Sequence, residues 1–423
     1  MEAITGIIAE YNPFHKGHGY QIKQARKLTG DRYVLVLMSG DFVQRGAPAV
    51  FDKYARTRMA LLGGADAVLE LPSCWACGSA EYFSKGAVGI LDALDCVDHL
   101  CFGSESGDVV SCQKLGQVLD KEPEEFQNFL RDSLKEGLPF PAARKSALKK
   151  YLEARHDQSF SGDALFSGIE NLLDSPNNLL GIEYCKALSR LNSRISPVTV
   201  KREGAGYHDE SLSQPLSSAT AVRRLLTGPK YEDMPLEKLL AYTQPDSVAA
   251  FTKDLLSWDL PVTEDDFSLL LKYRLLLHTP EELAGFADVS LDLARRIIRE
   301  RNHFASFSQF ISLLKTREMT YTRISRALLH ILLSITKEDM SETPGYVRLL
   351  GFRKESSSLL RMLQDSSRIP VITKAADYRK MLPEDCRKAF EKDLFCADLY
   401  ESVKAEKSQK TFVSDLQKSP VIL

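Results

Sequence analysis

Apolar positions in the first hundred residues follow two periods. Ile4 to Glu10, Arg32 to Met38, Ala67 to Leu71 and Val97 to Phe102 are short runs rich in Ile, Val and Leu, which read as strands. Between them, His18 to Leu28, Asp52 to Leu62 and Ala80 to Leu94 repeat apolar residues three and four apart, the spacing of one helix face. Gly30 and the pair Gly63-Gly64 stand where helices end. Strands alternating with helices predict an α/β fold, a parallel sheet covered by helices.

Residues 108 to 165 break this rhythm: they read as helical and carry Arg144, Lys145, Lys149, Lys150 and Arg155, so they form a helical insertion. The alternation resumes with a helix at Leu179 to Leu191, a strand at Ser196 to Lys201 and a helix at Ala219 to Leu226. Pro229 and the charged stretch after it mark a boundary. The expected organisation is an α/β unit over 1–228 and a mainly helical region over 229–423. The latter contains one short strand at Pro370 to Thr373.

Composition adds exclusions rather than a function. With 44% hydrophobic and 26% charged residues the chain is ordinary for a globular protein, and its net charge of -2 rules out a wholly basic nucleic-acid coat. Local patches can still hide in that sum. No basic leader opens the sequence and no run reaches the apolar length of a membrane span, so a cytoplasmic, membrane-free protein is expected. The eight cysteines read as reduced. Cys74-x-x-Cys77 lacks a second pair to complete a zinc site, and no metal-ligand set is assigned.

Chemistry concentrates at His15-Lys16-Gly17-His18. A strand, a short loop and a helix opening at His18 put both imidazoles at the carboxyl edge of the sheet, beside a helix N-terminus that attracts phosphate. Gly17 allows close backbone approach. Donors placed at an α-phosphate would stabilise the charge that develops as pyrophosphate leaves. Two histidines three apart also suit zinc, or simply a helix cap. Neither a P-loop nor a Gly-x-Gly-x-x-Gly fingerprint is present. A second constellation, Ser217-Ser218-Ala219-Thr220-Ala221-Val222-Arg223, offers hydroxyls at a helix start and a guanidinium one turn on, suited to β- and γ-phosphates.

The run Gly6 to His18 resembles the nucleotidyltransferase superfamily, whose Rossmann-like domain surrounds ATP with a His-x-Gly-His motif and a Ser/Thr-rich, Arg-containing motif. Further matches are Ser39-Gly40-Asp41-Phe42-Val43-Gln44-Arg45-Gly46, Ser79 to Gly86, Pro176-Asn177-Asn178-Leu179-Leu180-Gly181 and Ser218 to Arg223. Together they make the chain similar, over nearly its whole length, to the bacterial tRNA(Met) cytidine acetate ligases. The resemblance implies an ATP-dependent ligase. Acetate and ATP give acetyl-adenylate and pyrophosphate, and the wobble cytidine of elongator tRNA(Met) then takes the acetyl group as N4-acetylcytidine.

It also implies a site. ATP would lie along Ile7, Ile8, Ala9, Glu10, Tyr11, Asn12, Pro13 and Phe14, continuing through His15, Lys16, Gly17, His18, Gly19 and Tyr20. Gly103, Arg202, Ser218, Thr220 and one of Asn177 and Asn178 would add contacts. His15, His18 and Arg223 would carry catalysis. Asp41 is the expected acidic group, holding Mg2+ through water or positioning the amine, with a plain turn residue as the alternative.

For RNA, Arg295 to His330 holds eight Lys or Arg against two acids, Glu300 and Glu318. Arg323 and Arg326 are expected on the exposed face of a helix there. Arg144, Lys145 and Lys149 form a second candidate surface. The competing reading is a nucleotidyltransferase that modifies a small metabolite and never meets RNA.

Overall fold

The computed structural model describes residues 2–154, 172–173, 175–202, 219–227, 236–340 and 344–423. Five parallel strands form its centre: β1 (Ile4–Ala9), β2 (Tyr33–Ser39), β5 (Ala67–Leu71), β6 (His99–Ser104) and β7 (Ser196–Lys201). They lie in the order β5-β2-β1-β6-β7. Order reverses between β1 and β6, so their carboxyl ends splay into a crevice, the usual ligand position in open α/β sheets. This is the expected Rossmann-like arrangement. A separate hairpin, β3 (Phe42–Val43) with β4 (Ala47–Pro48), follows β2 directly.

Burial explains the strand composition. β2 and β5 are buried along their whole length, as both faces of a covered parallel sheet require. Helix α1 (Lys16–Thr29) starts two residues before the expected His18, because His15 caps it, and it ends at Gly30 with φ 72. Helix α2 (Lys53–Leu62) is capped by Asp52, whose side chain accepts from Tyr54 N and Ala55 N. Among its described residues the insertion folds as the helices Val109–Lys121, Glu124–Lys135 and Phe140–Ala154. Arg155 and the rest of the expected insertion lie outside the described residues, as does Pro229.

The region after residue 236 is mainly helical, yet it also contributes sheet. β8 (Val347–Phe352) pairs antiparallel with β5, and β9 (Val371–Ile372) and β10 (Val421–Ile422) pair parallel with β8. Only the strand near Pro370 to Thr373 was expected. β8 covers an edge of β5 that would otherwise expose unpaired backbone groups. Helix Asp246–Leu256 packs on α2, and Gln244 Nε2 donates to Phe14 O at 3.0 Å. The helical half therefore braces the His15 loop directly. Among the described residues no helix is long and apolar enough to cross a membrane.

Candidate active site

The site is built on the turn between β1 and α1. Backbone N–H groups can only donate, so the two histidine side chains that receive them must present lone pairs at Nδ1. Gly17 N donates to His15 Nδ1 at 3.0 Å, and His15 N donates to His18 Nδ1 at 3.2 Å. Each imidazole, when neutral, then carries its proton on Nε2. The rings stack with centroids 3.7 Å apart. Burial, with Arg202 and Arg223 nearby, pushes His15 down to about 3, and burial and His15 push His18 well below its usual value. At neutral pH the pair is two uncharged Nε2–H donors, positioned by the capping bonds themselves.

Other side chains hold the turn in place. Arg56, fully buried on α2, donates to the carbonyls of Phe51 at 2.9 Å, Glu10 at 2.7 Å and Ser39 at 3.1 Å, and also to Gly40. One guanidinium thus ties the ends of β1 and β2 together. Asn12 Oδ1 accepts from Val50 N at 2.9 Å, and its carbonyl accepts from Arg223 Nη1 at 2.8 Å. Arg223 Nη2 donates to Thr220 Oγ1 at 3.0 Å, so the second expected constellation reaches the first.

A single cleft collects these groups. Ile8, Ala9, Glu10, Tyr11 and Asn12 line it with His15 and His18. Gly103 and Arg202 border it from the ends of β6 and β7, and Thr220 and Arg223 from the helix Ala219–Thr227. Asn177 lines it too. Asn178 does not: it is buried, and its Oδ1 accepts from Glu105 N at 3.0 Å and Ser106 N at 3.3 Å, holding the turn after β6.

Several expected positions lie elsewhere. Ile7 and Phe14 are fully buried in the core beneath the loop. Pro13 follows Asn12 through a cis peptide and, like Gly17, shapes the loop without facing the cleft. Lys16 turns away, donating from Nζ to Ala241 O at 2.8 Å. Gly19 faces Pro245 and Phe14, and Tyr20 packs on an apolar cluster. Ser218 lies outside the described residues. Asp41 is the principal correction: it is buried, accepts from Lys53 N at 2.7 Å, and burial pushes its carboxyl up to about 6. It secures the start of α2 and does not face the cleft.

The acid that does face the cleft is Glu10, whose Oε1 accepts from Gln44 N at 3.0 Å. Gln44 and Arg45, from the β3–β4 hairpin, were not foreseen as lining residues, nor was the apolar wall of Phe83, Leu180 and Tyr184. Hairpin placement depends on tertiary contact: Gly46, with φ 79, packs against the backbone of Ser325 and Arg326, and its carbonyl accepts from Ser325 Oγ at 2.8 Å. The Ser39 to Gly46 motif was itself the available signal.

The expected RNA residues divide. Arg323 is exposed on the helix Tyr321–Leu333. Arg326 is not its exposed companion, because its Nε donates to Asp288 Oδ2 at 2.9 Å and little of the side chain is exposed. Arg144 pairs with Glu183 at 2.5 Å, while Lys145 and Lys149 lie on the same helix, Phe140–Ala154.

Comparison with known proteins places this geometry. Residues 1–415 match the family model HIGH Nucleotidyl Transferase. The tRNA(Met) cytidine acetate ligase of Acetivibrio thermocellus is 38% identical over 403 residues, covering 94% of each chain. The chain belongs to the tRNA(Met) cytidine acetate ligase family. The ligase of Clostridium perfringens is 40% identical over 375 residues, 88% of this chain and 89% of its own. Thermotoga maritima TmcAL, solved with alpha-thio ATP, superposes with TM-score 0.90 at 29% identity, covering 100% of this chain and 99% of that one. Its apo form gives 0.91 at 30%. The family membership matches the resemblance read from the motifs.

Proposed function

We propose that this protein is an ATP-dependent tRNA(Met) cytidine acetate ligase acting in the cytoplasm. The observation that carries the reading is the pair of neutral Nε2–H donors at a helix N-terminus, with Arg223 held one loop away. In the first step an acetate oxygen attacks the α-phosphorus of ATP, and the bond to the β-phosphate oxygen breaks. His15 and His18 donate to α-phosphate oxygens as negative charge builds, and neutral donors do so without first giving up a proton. Arg223 and Thr220 hold the departing pyrophosphate. Mg2+ would arrive with ATP, held by phosphates and water, with Glu10 the carboxylate nearest that chemistry in the cleft.

In the second step the exocyclic amine of the wobble cytidine in elongator tRNA(Met) attacks the acetyl carbonyl. The C–O bond to AMP breaks, and the amine loses a proton. Glu10 is the carboxylate placed in the cleft to receive it. The base must leave its stack to enter.

The test is pyrophosphate exchange with ATP over a panel of carboxylic acids, followed by transfer of labelled acetate to elongator tRNA(Met). Exchange with acetate and acetylation of the cytidine are expected. Exchange with none of the acids would overturn the ligase reading.

A further inference from the structure

A second concave surface lies away from the ATP cleft. Helix Leu291–Glu300 buries Leu293, Ala294 and Ile297 and turns Arg295 and Arg299 outward, one turn apart, where like charges repel. Opposite it runs Thr316 to Met319, leading into the helix Tyr321–Leu333. Together they line a groove of about 600 Å³ containing Arg295, Arg296, Arg299 and Arg317 against two acids, Asp292 and Glu318. Arg296 is anchored by donation to Leu314 O at 3.1 Å, and Arg299 pairs with Glu300 at 2.9 Å. Arg295 and Arg317 are exposed and form no ion pair among the described residues. A fold gains nothing internally from leaving Arg295 and Arg317 without ion pairs beside two further guanidinium groups. An external polyanion would.

Distance to the cleft narrows the partner. Met319 lines the groove, and Ser325, six residues on, touches Gly46 beside the cleft residues Gln44 and Arg45. Of these residues Tyr321 to Ser325 are helical and advance about 6 Å, and Met319 and Thr320 extend the path further. A stacked nucleic-acid strand advances about 3.4 Å per nucleotide, so the groove is displaced from the cleft-side loop by roughly three nucleotides.

We propose that this groove binds backbone phosphates of the RNA strand flanking the acetylated base. The proposal rests on the reading that the second substrate is RNA. Guanidinium forks match phosphate oxygens bidentately, and Arg296 is already oriented by its carbonyl. Such contacts set register and affinity, leaving base identity to the cleft.

The experiment compares the parent with the double variants Arg295→Gln/Arg317→Gln and Arg295→Lys/Arg317→Lys, all checked for folding by circular dichroism. Because neither residue has an internal ion pair, folding should survive. Binding of tRNA(Met) and of its anticodon stem-loop is measured across a salt series, beside acetate-dependent pyrophosphate exchange without RNA. Each lost phosphate contact lowers the slope of log affinity against log salt by about 0.7 to 0.9, so the Gln pair should lose roughly 1.5 in slope. Its affinity should fall about tenfold, while exchange stays within twofold of the parent. The Lys pair should keep the slope. A Gln pair with the parent's affinity and slope overturns the proposal, and so does an equal loss in the Lys pair. If the parent exchanges pyrophosphate but acetylates no tRNA, the functional reading fails separately, and the binding series still decides the groove.

Discussion

Replacing Gly17 with alanine should leave the fold intact while disabling the site. A Cβ at this position would lie 2.8 Å from His15 Cε1 and 3.0 Å from His15 Nδ1. Carbon atoms do not approach that closely, so the imidazole must swing away. It then loses its bond from Gly17 N and its stacking on His18. Loss of a helix cap costs about 1 kcal/mol. Alanine in place of glycine recovers up to about 1 kcal/mol of helix propensity, so the two terms nearly cancel in stability. They do not cancel in catalysis, because the His15 Nε2–H moves with its ring. A displacement near 1 Å at a reacting group costs about a hundredfold. Urea denaturation should therefore show Gly17→Ala within about 1 kcal/mol of the parent, while acetate-dependent pyrophosphate exchange falls about a hundredfold. Exchange at the parent rate in the folded variant would show that the cap does not orient a catalytic donor.

Glu10→Gln keeps an acceptor for Gln44 N but cannot take a proton, so exchange should stay within a few-fold while acetyl transfer to tRNA falls about a hundredfold; transfer at the parent rate removes Glu10 from the second step. His15, held down to about 3, affects stability only below about pH 6.5, where the unfolded chain binds a proton that the native ring refuses. Stability thus falls as pH drops, by about 2 kcal/mol at pH 5 from this group. His15→Gln should lose less stability than the parent between pH 7 and pH 5 in urea titrations, and equal losses would contradict a buried neutral ring. Asp41, raised to about 6, acts with the opposite sign between about pH 6 and 3.8 and cancels in that comparison. Arg326→Glu sets a carboxylate against Asp288 and should destabilise by about 3 kcal/mol in urea, whereas Arg323→Glu should unfold no more easily than the parent. Equal midpoints for the two variants would mean that the Arg326 pair supports nothing.

The alternating half of the fold was readable because period-two and period-3.6 patterns follow one another with short connections, and β5 and β7 fall on the expected residues. The start of α1 was not, because the cap is a histidine rather than one of the common short polar residues. β8 was also missed. Its six residues lie in a helical stretch, and an antiparallel edge strand needs no βαβ unit to announce it. At the site, motif spacing reaches His15, His18 and Arg223, which touch through one loop. It does not reach Arg56, whose four carbonyl partners come from three separate segments, or the Asn178 scaffold beneath Glu105. A buried guanidinium and a solvated one look alike in sequence. The same ambiguity put Asp41 in the cleft and Arg326 on the surface.

That ambiguity changes how the two halves of the chain can be separated. Motifs before residue 230 and basic residues after 290 suggest that ATP chemistry and RNA contact divide cleanly along the sequence. The fold does not divide there. Gly46 leaves no room for a side chain against Arg326, Ser325 bonds to its carbonyl, and Gln44 in the same hairpin bonds to Glu10 in the cleft. A shift of the helix Tyr321–Leu333 must therefore move the hairpin and alter the Glu10 side of the cleft. Changes at Arg295, Arg317 or Arg323 leave that contact alone. A change at Ser325, whose hydroxyl bonds to the Gly46 carbonyl, does not. The proposed RNA contact and adenylation are then separable residue by residue, according to whether a side chain meets solvent or, like that of Ser325, the Gly46 backbone. RNA that pulled on this helix would be felt at Glu10, the carboxylate proposed to serve the second step.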